Sequence, residues 1–277
     1  MKEPLAPEAA TQSPYQVRFD WGLAGLRSIA QQAEVIAVVD ALTFTTTLVC
    51  AVGCGFDVVP CEDPRDKAGV AQRSGALVAG ERGDPGLTLS PASFTPDNVA
   101  AAREAWETRP QAGADAGGRP RLVVASRNGS PLAAAAASFG VPVVALSPGN
   151  AAAVAQWLIR RQEERAARQR VAVVAAGEVR RDGTLRFAAE DLLTAGAFVA
   201  ACSAVGLDHS SPEAAAAGAA YEGLTRGLRH LLIASVTGQQ LVAGGEKADI
   251  ALALAESPVV PVLHDGIFTA AGAFVAR

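Results

Sequence analysis

The sequence predicts a three-layer α/β/α domain built on a mainly parallel sheet. Three observations point to it: short unbroken apolar runs rich in Val and Ile, a small-residue turn after each, and then a segment with helical spacing of Ala and Leu. Strands covered by helices on both faces have no solvent side and so read as continuous apolar runs. Repeated alternation of such runs with helices therefore implies a doubly covered sheet. Half of the 277 residues are hydrophobic and 19% are charged, which supplies a sizeable core and excludes wholesale disorder.

The elements follow in order. Residues 1–14 are Pro- and Ala-rich without period and read as a disordered tail; the domain spans 15–277. A soft stretch near 108–120 (TRPQAGADAGGRP) is the place where two subdomains could divide. A strand over Glu34–Asp40 (EVIAVVD) precedes a helix over Thr43–Gly53, and a short one over Ala76–Ala79 runs into Gly80–Gly83. Arg121–Ala125 (RLVVA) leads through Ser126–Ser130 to an Ala-rich helix ending near Gly140. Val141–Leu146 leads through Ser147–Asn150 to a helix reaching about Arg168. Val171–Ala175 (VAVVA) leads into Gly177-Glu178, and Glu190–Cys202 is helical again. Pro212–Arg229, Thr237–Gly244 and Lys247–Glu256 read as helices, Val259–Leu263 as a last strand, and Gly266–Arg277 as a further candidate strand.

Composition narrows the function. A net charge of −4 argues against a general grip on nucleic acid or an anionic membrane. The basic run Arg160–Arg170 is interrupted by Glu163 and Glu164 and reads as a solvated helix face. No apolar run approaches the roughly 18–20 residues of a spanning helix, and no signal-peptide core is seen, so a cytoplasmic protein is expected. Cys50, Cys54, Cys61 and Cys202 have no zinc spacing, and Cys50 and Cys54, four apart on one face of a helix, read as small core residues. Of the three histidines, His264 is the best placed for a catalytic triad, after the last strand.

In open α/β sheets ligands bind at the carboxyl ends of strands, where helix N-termini present free N–H groups. The polar junctions are therefore the candidate site. Asp40 ends an apolar strand, where an unpartnered charge is costly, and Thr45 and Thr46 open the next helix as caps or anion binders. Glu81 and Arg82 lie between the glycines of Gly80–Gly83, and Ser90-Pro91 follows. In Ser126–Ser130, Asn128-Gly129 permits a left-handed turn whose N–H groups, with Arg127 and Ser130, can meet an oxyanion. Ser147–Asn150 reads as a structural turn and cap. Glu178, Glu190 and Asp191, with Asp40, are carboxylates that could hold a divalent cation, and hard Mg²⁺ takes one or two carboxylates plus water and phosphate. No P-loop, dinucleotide fingerprint, GxSxG elbow or HExxH is present.

Taken in order, these segments resemble the ComB family of 2-phosphosulfolactate phosphatases over roughly Ala33 to Gly266. The resemblance rests on Asp40 with Thr45-Thr46, Gly80–Gly83, Ser90-Pro91, Asn128-Gly129-Ser130, Gly177-Glu178, Glu190-Asp191, and the later Ser235, Gly238, Leu241 and Asp249. It implies a ComB-like fold and a Mg²⁺-dependent phosphatase acting on a small anionic phosphorylated substrate. It also implies a homo-oligomer with neither nucleic acid nor membrane as partner. In this reading Asp40, Glu81 and Glu178 are the catalytic candidates, and Asp40, Glu190 and Asp191 the metal candidates, with acid/base and ligand roles not separated. Thr45, Thr46, Arg82, Ser90, Arg127, Asn128, Gly129 and Ser130 are the substrate candidates. Two departures stand out: Thr43 where the resemblance leads one to expect arginine, and Leu89 where it leads one to expect asparagine. Arg127 is a candidate to restore the lost charge. The alternatives are a diverged paralogue acting on another phospho-acid and a weakly catalytic anion-binding protein.

Overall fold

The computed structural model describes residues 10–109 and 118–271. Within them a nine-stranded sheet runs in the order β1 (Val17–Trp21), β7 (Val171–Ala175), β2 (Val35–Val39), β6 (Val143–Leu146), β10 (Pro261–His264), β11 (Ile267–Ala270), β3 (Asp57–Cys61), β5 (Arg121–Ala125) and β4 (Leu77–Val78). It is two parallel groups joined by an antiparallel hairpin. β1, β7, β2 and β6 are mutually parallel, as are β3, β5 and β4, while β10 and β11 pair antiparallel with each other and with β6 and β3. A separate small ribbon joins β8 (Glu178–Val179) to β9 (Leu185–Arg186).

Eleven α-helices cover this sheet among the described residues: α1 (Gly22–Ile29), α2 (Phe44–Gly53), α3 (Lys67–Ser74), α4 (Pro96–Thr108), α5 (Gly129–Ala137), α6 (Ala151–Arg165), α7 (Ala189–Ala204), α8 (Pro212–Leu224), α9 (Leu228–Ala234), α10 (Val236–Ala243) and α11 (Lys247–Leu254). Side chains on β2 alternate between two cores. Ile36 and Val38 pack with α1, α2 and α5, whereas Val35, Ala37 and Val39 pack with α6, α7 and α8. Val58 of β3 and Leu122 and Val124 of β5 share the first of these cores, so α1, α2 and α5 form a helix layer common to both parallel groups. On the far face Val59, Cys61 and Val123 meet α3. This is the α/β/α layering expected, and each wholly buried aliphatic side chain contributes roughly 1.5–3 kcal/mol to it.

Small residues set how close the helices come. A Cβ on Gly196 of α7 would sit on the carbonyl oxygen of Ala217 in α8, so the Ala- and Gly-rich composition is used for near contact of helix backbones. A smaller core of Leu232, Leu241, Ile250 and Ala253 packs α9, α10 and α11 onto Leu42 and Leu193, which places these helices over the end of β2.

Several boundaries differ from the sequence expectation. β1 and β3 were not expected as strands, β4 has only two residues, and β10 starts at Pro261. Of the expected tail, residues 1–9 lie outside the described residues. Gln12 is buried and exchanges hydrogen bonds of 2.9 and 3.0 Å with the backbone of Phe19, tying the chain before β1 to the sheet. Residues 110–117 of the soft stretch and the end of the expected last strand also lie outside them. The cysteines are free, and Cys61 and Cys202 are buried. His264 sits exposed in the β10–β11 hairpin, 3.0 Å from Asp265, away from the pocket described next.

Candidate active site

The carboxyl ends of β2, β3, β4, β5 and β7 open on one pocket of about 630 Å³. Asp40, Thr43 and Phe44 enter it after β2, Pro64 and Lys67 after β3, and Gly80, Glu81 and Arg82 after β4. Ser126, Arg127 and Asn128 follow β5, Gly177 and Glu178 follow β7, and Glu190 and Asp191 come from the first turn of α7. Thr237, Gln240, Leu241 and Glu246 close the pocket from the C-terminal helices.

Its carboxylate corner is built by hydrogen bonds across the two parallel groups. Asp40 Oδ2 accepts from the Gly129 N–H at 2.8 Å and from the Ser126 hydroxyl at 3.2 Å. The end of β2 is thereby joined to the first turn of α5. Asp191, completely desolvated on α7, accepts from the Ala41 N–H at 2.9 Å and the Gly177 N–H at 3.0 Å, and so braces the ends of β2 and β7. Glu190 is also buried, and its Oε2 has no hydrogen-bond partner. Burial pushes the Asp40 carboxyl up to about 6 against the lowering effect of its two donors, and the Glu190 charge pushes the same way. Asp191 is raised well above the usual carboxylate range by burial first, then by Asp40 and Glu190. Carboxylates that raise one another need a proton or a cation.

Among the described residues no group of three or more His, Cys, Asp or Glu side chains is arranged as a ready metal cluster. The donor set nevertheless fits a hard divalent cation of the kind that takes one or two carboxylates and fills its remaining positions with water and substrate phosphate. Asp40 and Glu190 are the two that would hold it. Glu190 Oε2 is an orphaned buried acceptor, whereas each oxygen of Asp191 already accepts from a backbone N–H. Asp191 is thus a brace of the two strand ends, whatever further bond its remaining lone pairs make.

The anion-binding candidates separate into two groups. Arg127 is exposed on the pocket and makes no ion pair among the described residues; Asn128 beside it accepts from the Val179 N–H through Oδ1 and leaves its amide N–H₂ without a protein partner. Arg82 also lines the pocket but is tethered: its Nη1 lies 2.8 Å from Glu246 and donates to Asp249 at 3.0 Å, and its Nη2 donates to Thr43. The other candidates face inward. The Thr45 and Thr46 hydroxyls, wholly buried, donate to the carbonyls of Asp40 and Ala41 at 2.9 and 2.8 Å. Ser130 Oγ accepts from the Ser126 N–H, Ser126 Oγ accepts in turn from the Ser130 N–H, and the Gly129 N–H is spent on Asp40. Ser90 donates to Asp249 at 2.5 Å. Thr45, Thr46, Gly129 and Ser130 therefore build the corner and Ser90 braces Asp249, and of these groups only the neighbouring Ser126 lines the pocket.

Glu81 and Glu178 reach the pocket as ion pairs. Glu81 is largely exposed and meets Lys67, and Glu178 meets Arg186 at 2.5 Å. Lys67 is the main residue sequence reasoning missed. It opens α3 after β3, and it escaped notice because DVVPC with its proline was not read as a strand, so its junction was never inspected. Glu246 was missed as a site residue for another reason, since it lies far along the chain from Arg82 and carries no local signal; Asp249 entered only through the resemblance and with no role assigned.

A doubly covered sheet whose strand ends gather buried carboxylates, an unpaired arginine and a tethered one defines the class: an α/β enzyme that works on a small anionic ester. A family model described as 2-phosphosulpholactate phosphatase matches residues 26–266, and the chain belongs to that family of phosphoric monoester hydrolases. Among curated proteins, none matches the chain. Among the described residues no helix is long and apolar enough to cross a membrane.

Proposed function

We propose that this chain is a cytoplasmic, Mg²⁺-dependent phosphatase that hydrolyses 2-phosphosulfolactate to sulfolactate and phosphate. The observation that carries the reading is the carboxylate corner of Asp40, Asp191 and the orphaned Glu190, in a pocket that Arg127, without an ion pair among the described residues, also lines, in a chain of this family. When bound by Asp40 and Glu190, Mg²⁺ supplies charge neutralisation for the phosphoryl oxygens and lowers the pKa of a coordinated water. The chain does the positioning. Arg127 and the Asn128 amide bind phosphoryl oxygens as charge-assisted and neutral donors. Arg82 and Lys67, which also line the pocket, hold the substrate's other acidic groups.

A second reading keeps the chemistry and changes the substrate. Thr43 stands at the edge of the pocket where the resemblance leads one to expect arginine, which favours an acid lacking one anionic group. The experiment is release of inorganic phosphate from 2-phosphosulfolactate, phospholactate and phosphoglycolate, each with Mg²⁺ and with chelator. Mg²⁺-dependent release from the first supports the proposal. Release only from the others moves the assignment to a paralogue. Stabilisation by these compounds with no turnover would leave an anion-binding protein. Homo-oligomerisation, which the resemblance carries, is decided separately by light scattering.

A further inference from the structure

Asp249, on α11, is completely buried and yet carries no backbone duty within its own helix that requires a carboxylate. Its two oxygens divide the work. Oδ1 accepts from the Ser90 hydroxyl at 2.5 Å and from the Ala92 N–H at 3.1 Å, which fixes the loop around residues 90–92. Oδ2 accepts from Arg82 Nη1 at 3.0 Å. A buried carboxylate costs several kcal/mol unless it is paired and hydrogen-bonded, and here the pairing cation is a pocket residue.

The donors left over on Arg82 give the arrangement its meaning. Nη1 faces Asp249 and Glu246, and Nη2 donates to Thr43, whose hydroxyl in turn donates to the Leu89 carbonyl at 3.2 Å. Nε has no partner among the described residues, and one Nη2 hydrogen is also uncommitted, while the side chain is 30% exposed on the pocket. A guanidinium held on one side by carboxylates keeps a donor pair for an incoming anion, and its orientation is settled before the anion arrives.

We propose that Asp249 is a positioning residue: it orients Arg82 so that the guanidinium presents Nε–H and an Nη2–H to an acidic group of the substrate. The inference rests on the anionic substrate of the phosphatase reading and adds which residue aims the grip. It also ties the C-terminal helices to the substrate, because Asp249 and Glu246 reach Arg82 from that side.

The test is a double-mutant cycle on Arg82→Ala and Asp249→Asn. The asparagine keeps an acceptor for Ser90 and Ala92 but turns an amide donor toward the guanidinium. Two readouts are taken on the full chain: steady-state hydrolysis of 2-phosphosulfolactate with Mg²⁺, and calorimetric affinity for inorganic phosphate. Asp249→Asn is expected to raise KM and weaken phosphate binding about tenfold with kcat within about twofold, and Arg82→Ala to weaken both about a hundredfold. The double variant is expected to match Arg82→Ala, since an effect transmitted through Arg82 vanishes with it. Additive losses, or a wild-type KM and phosphate affinity in Asp249→Asn, would overturn the assignment. If that variant does not fold, Glu246→Gln replaces it in the cycle, with about a threefold loss expected and the same non-additivity. If the wild type releases no phosphate from the ester, the phosphatase reading falls while the phosphate affinities still decide this one. A wild type that binds no inorganic phosphate at millimolar concentration overturns the positioning role as well.

Discussion

Replacing Asp40 by Asn isolates the electrostatic cost of the carboxylate corner in the absence of a cation. The Asp40 carboxyl is pushed from its ordinary 3.8 to about 6, chiefly by burial. A rise of that size corresponds to roughly 3 kcal/mol between the two protonation states. Solvent reaching the partly open side chain screens some of this, leaving about 2 kcal/mol as the working figure. The sign follows from proton linkage. The folded state holds this proton more tightly than the unfolded one, so ionisation penalises the fold. The penalty is absent below about pH 4, grows up to about pH 6 and is complete above it. Asn cannot ionise, and it also removes the Asp40 charge that pushes Asp191 upward, which acts in the same direction. Melting curves of both proteins in chelator at pH 4.5, 5.5, 6.5 and 7.5 give the measurement. Whatever offset Asn introduces through the hydrogen bonds to Gly129 and Ser126, about two thirds of this penalty develops between pH 4.5 and 7.5, and the difference between variant and wild type should shift in favour of Asn by about 2–5 °C over that range. A difference that stays flat across that range, or moves the other way, would refute the claim that Asp40 is raised by burial beside like charges.

Three further outcomes follow from the same geometry. Mg²⁺ at about a hundred times its Kd should stabilise the wild type at pH 7.5 by about 2.7 kcal/mol, and Glu190→Gln should abolish that gain in thermal melts because the orphaned acceptor is gone. Arg127→Ala should raise KM about tenfold or more while leaving the melting temperature unchanged, since the side chain is exposed and makes no ion pair among the described residues; an unchanged KM removes it from the anion site. Gly129→Ala should cost about 1–3 kcal/mol in denaturant titration and lose most activity, because the added Cβ would fall against the Phe44 ring and within 2.5 Å of Asp40 Oδ2.

How much of this was legible in the sequence depends on whether a residue's role is local. β2, β5, β6 and β7 are covered on both faces, so VIAVV and VAVVA announce themselves as unbroken apolar runs, and the carboxylate ending the first of them follows directly. β1 does not, because VRFDW places an arginine inside the strand. Arg18 is completely buried, its guanidinium donating to the carbonyls of Ser13, Tyr15, Ile29 and Gln31, and no periodicity reveals a charge satisfied by four separate backbone oxygens. β3 is hidden by Pro60, which the sheet tolerates because β11 bridges this strand only at Val58. The threonines show the opposite error. Thr45 and Thr46 were open to two readings, caps or anion binders, and burial turns their hydroxyls onto the backbone of Asp40 and Ala41. Likewise the N–H groups of Gly129 and Ser130, a plausible anion nest by sequence, are consumed by Asp40 and Ser126.

Thr43 and Leu89, the two positions at which the resemblance leads one to expect other residues, lie 46 residues apart in the chain and are hydrogen-bonded to each other. The Thr43 hydroxyl donates to the Leu89 carbonyl and receives Arg82, so the junction that lacks an arginine of its own is the one against which another arginine is propped. Threonine in this place supplies an acceptor that a second guanidinium could not, and two arginines side by side would repel each other as well as compete for Asp249 and Glu246. The positive charge of this wall is therefore delivered by Arg82 from the β4 turn. Arg127 stands on the turn that binds Asp40, and Arg82 on the turn after β4. Both arginines line the pocket, so an anionic ligand there meets positive charge delivered from two separate strand ends.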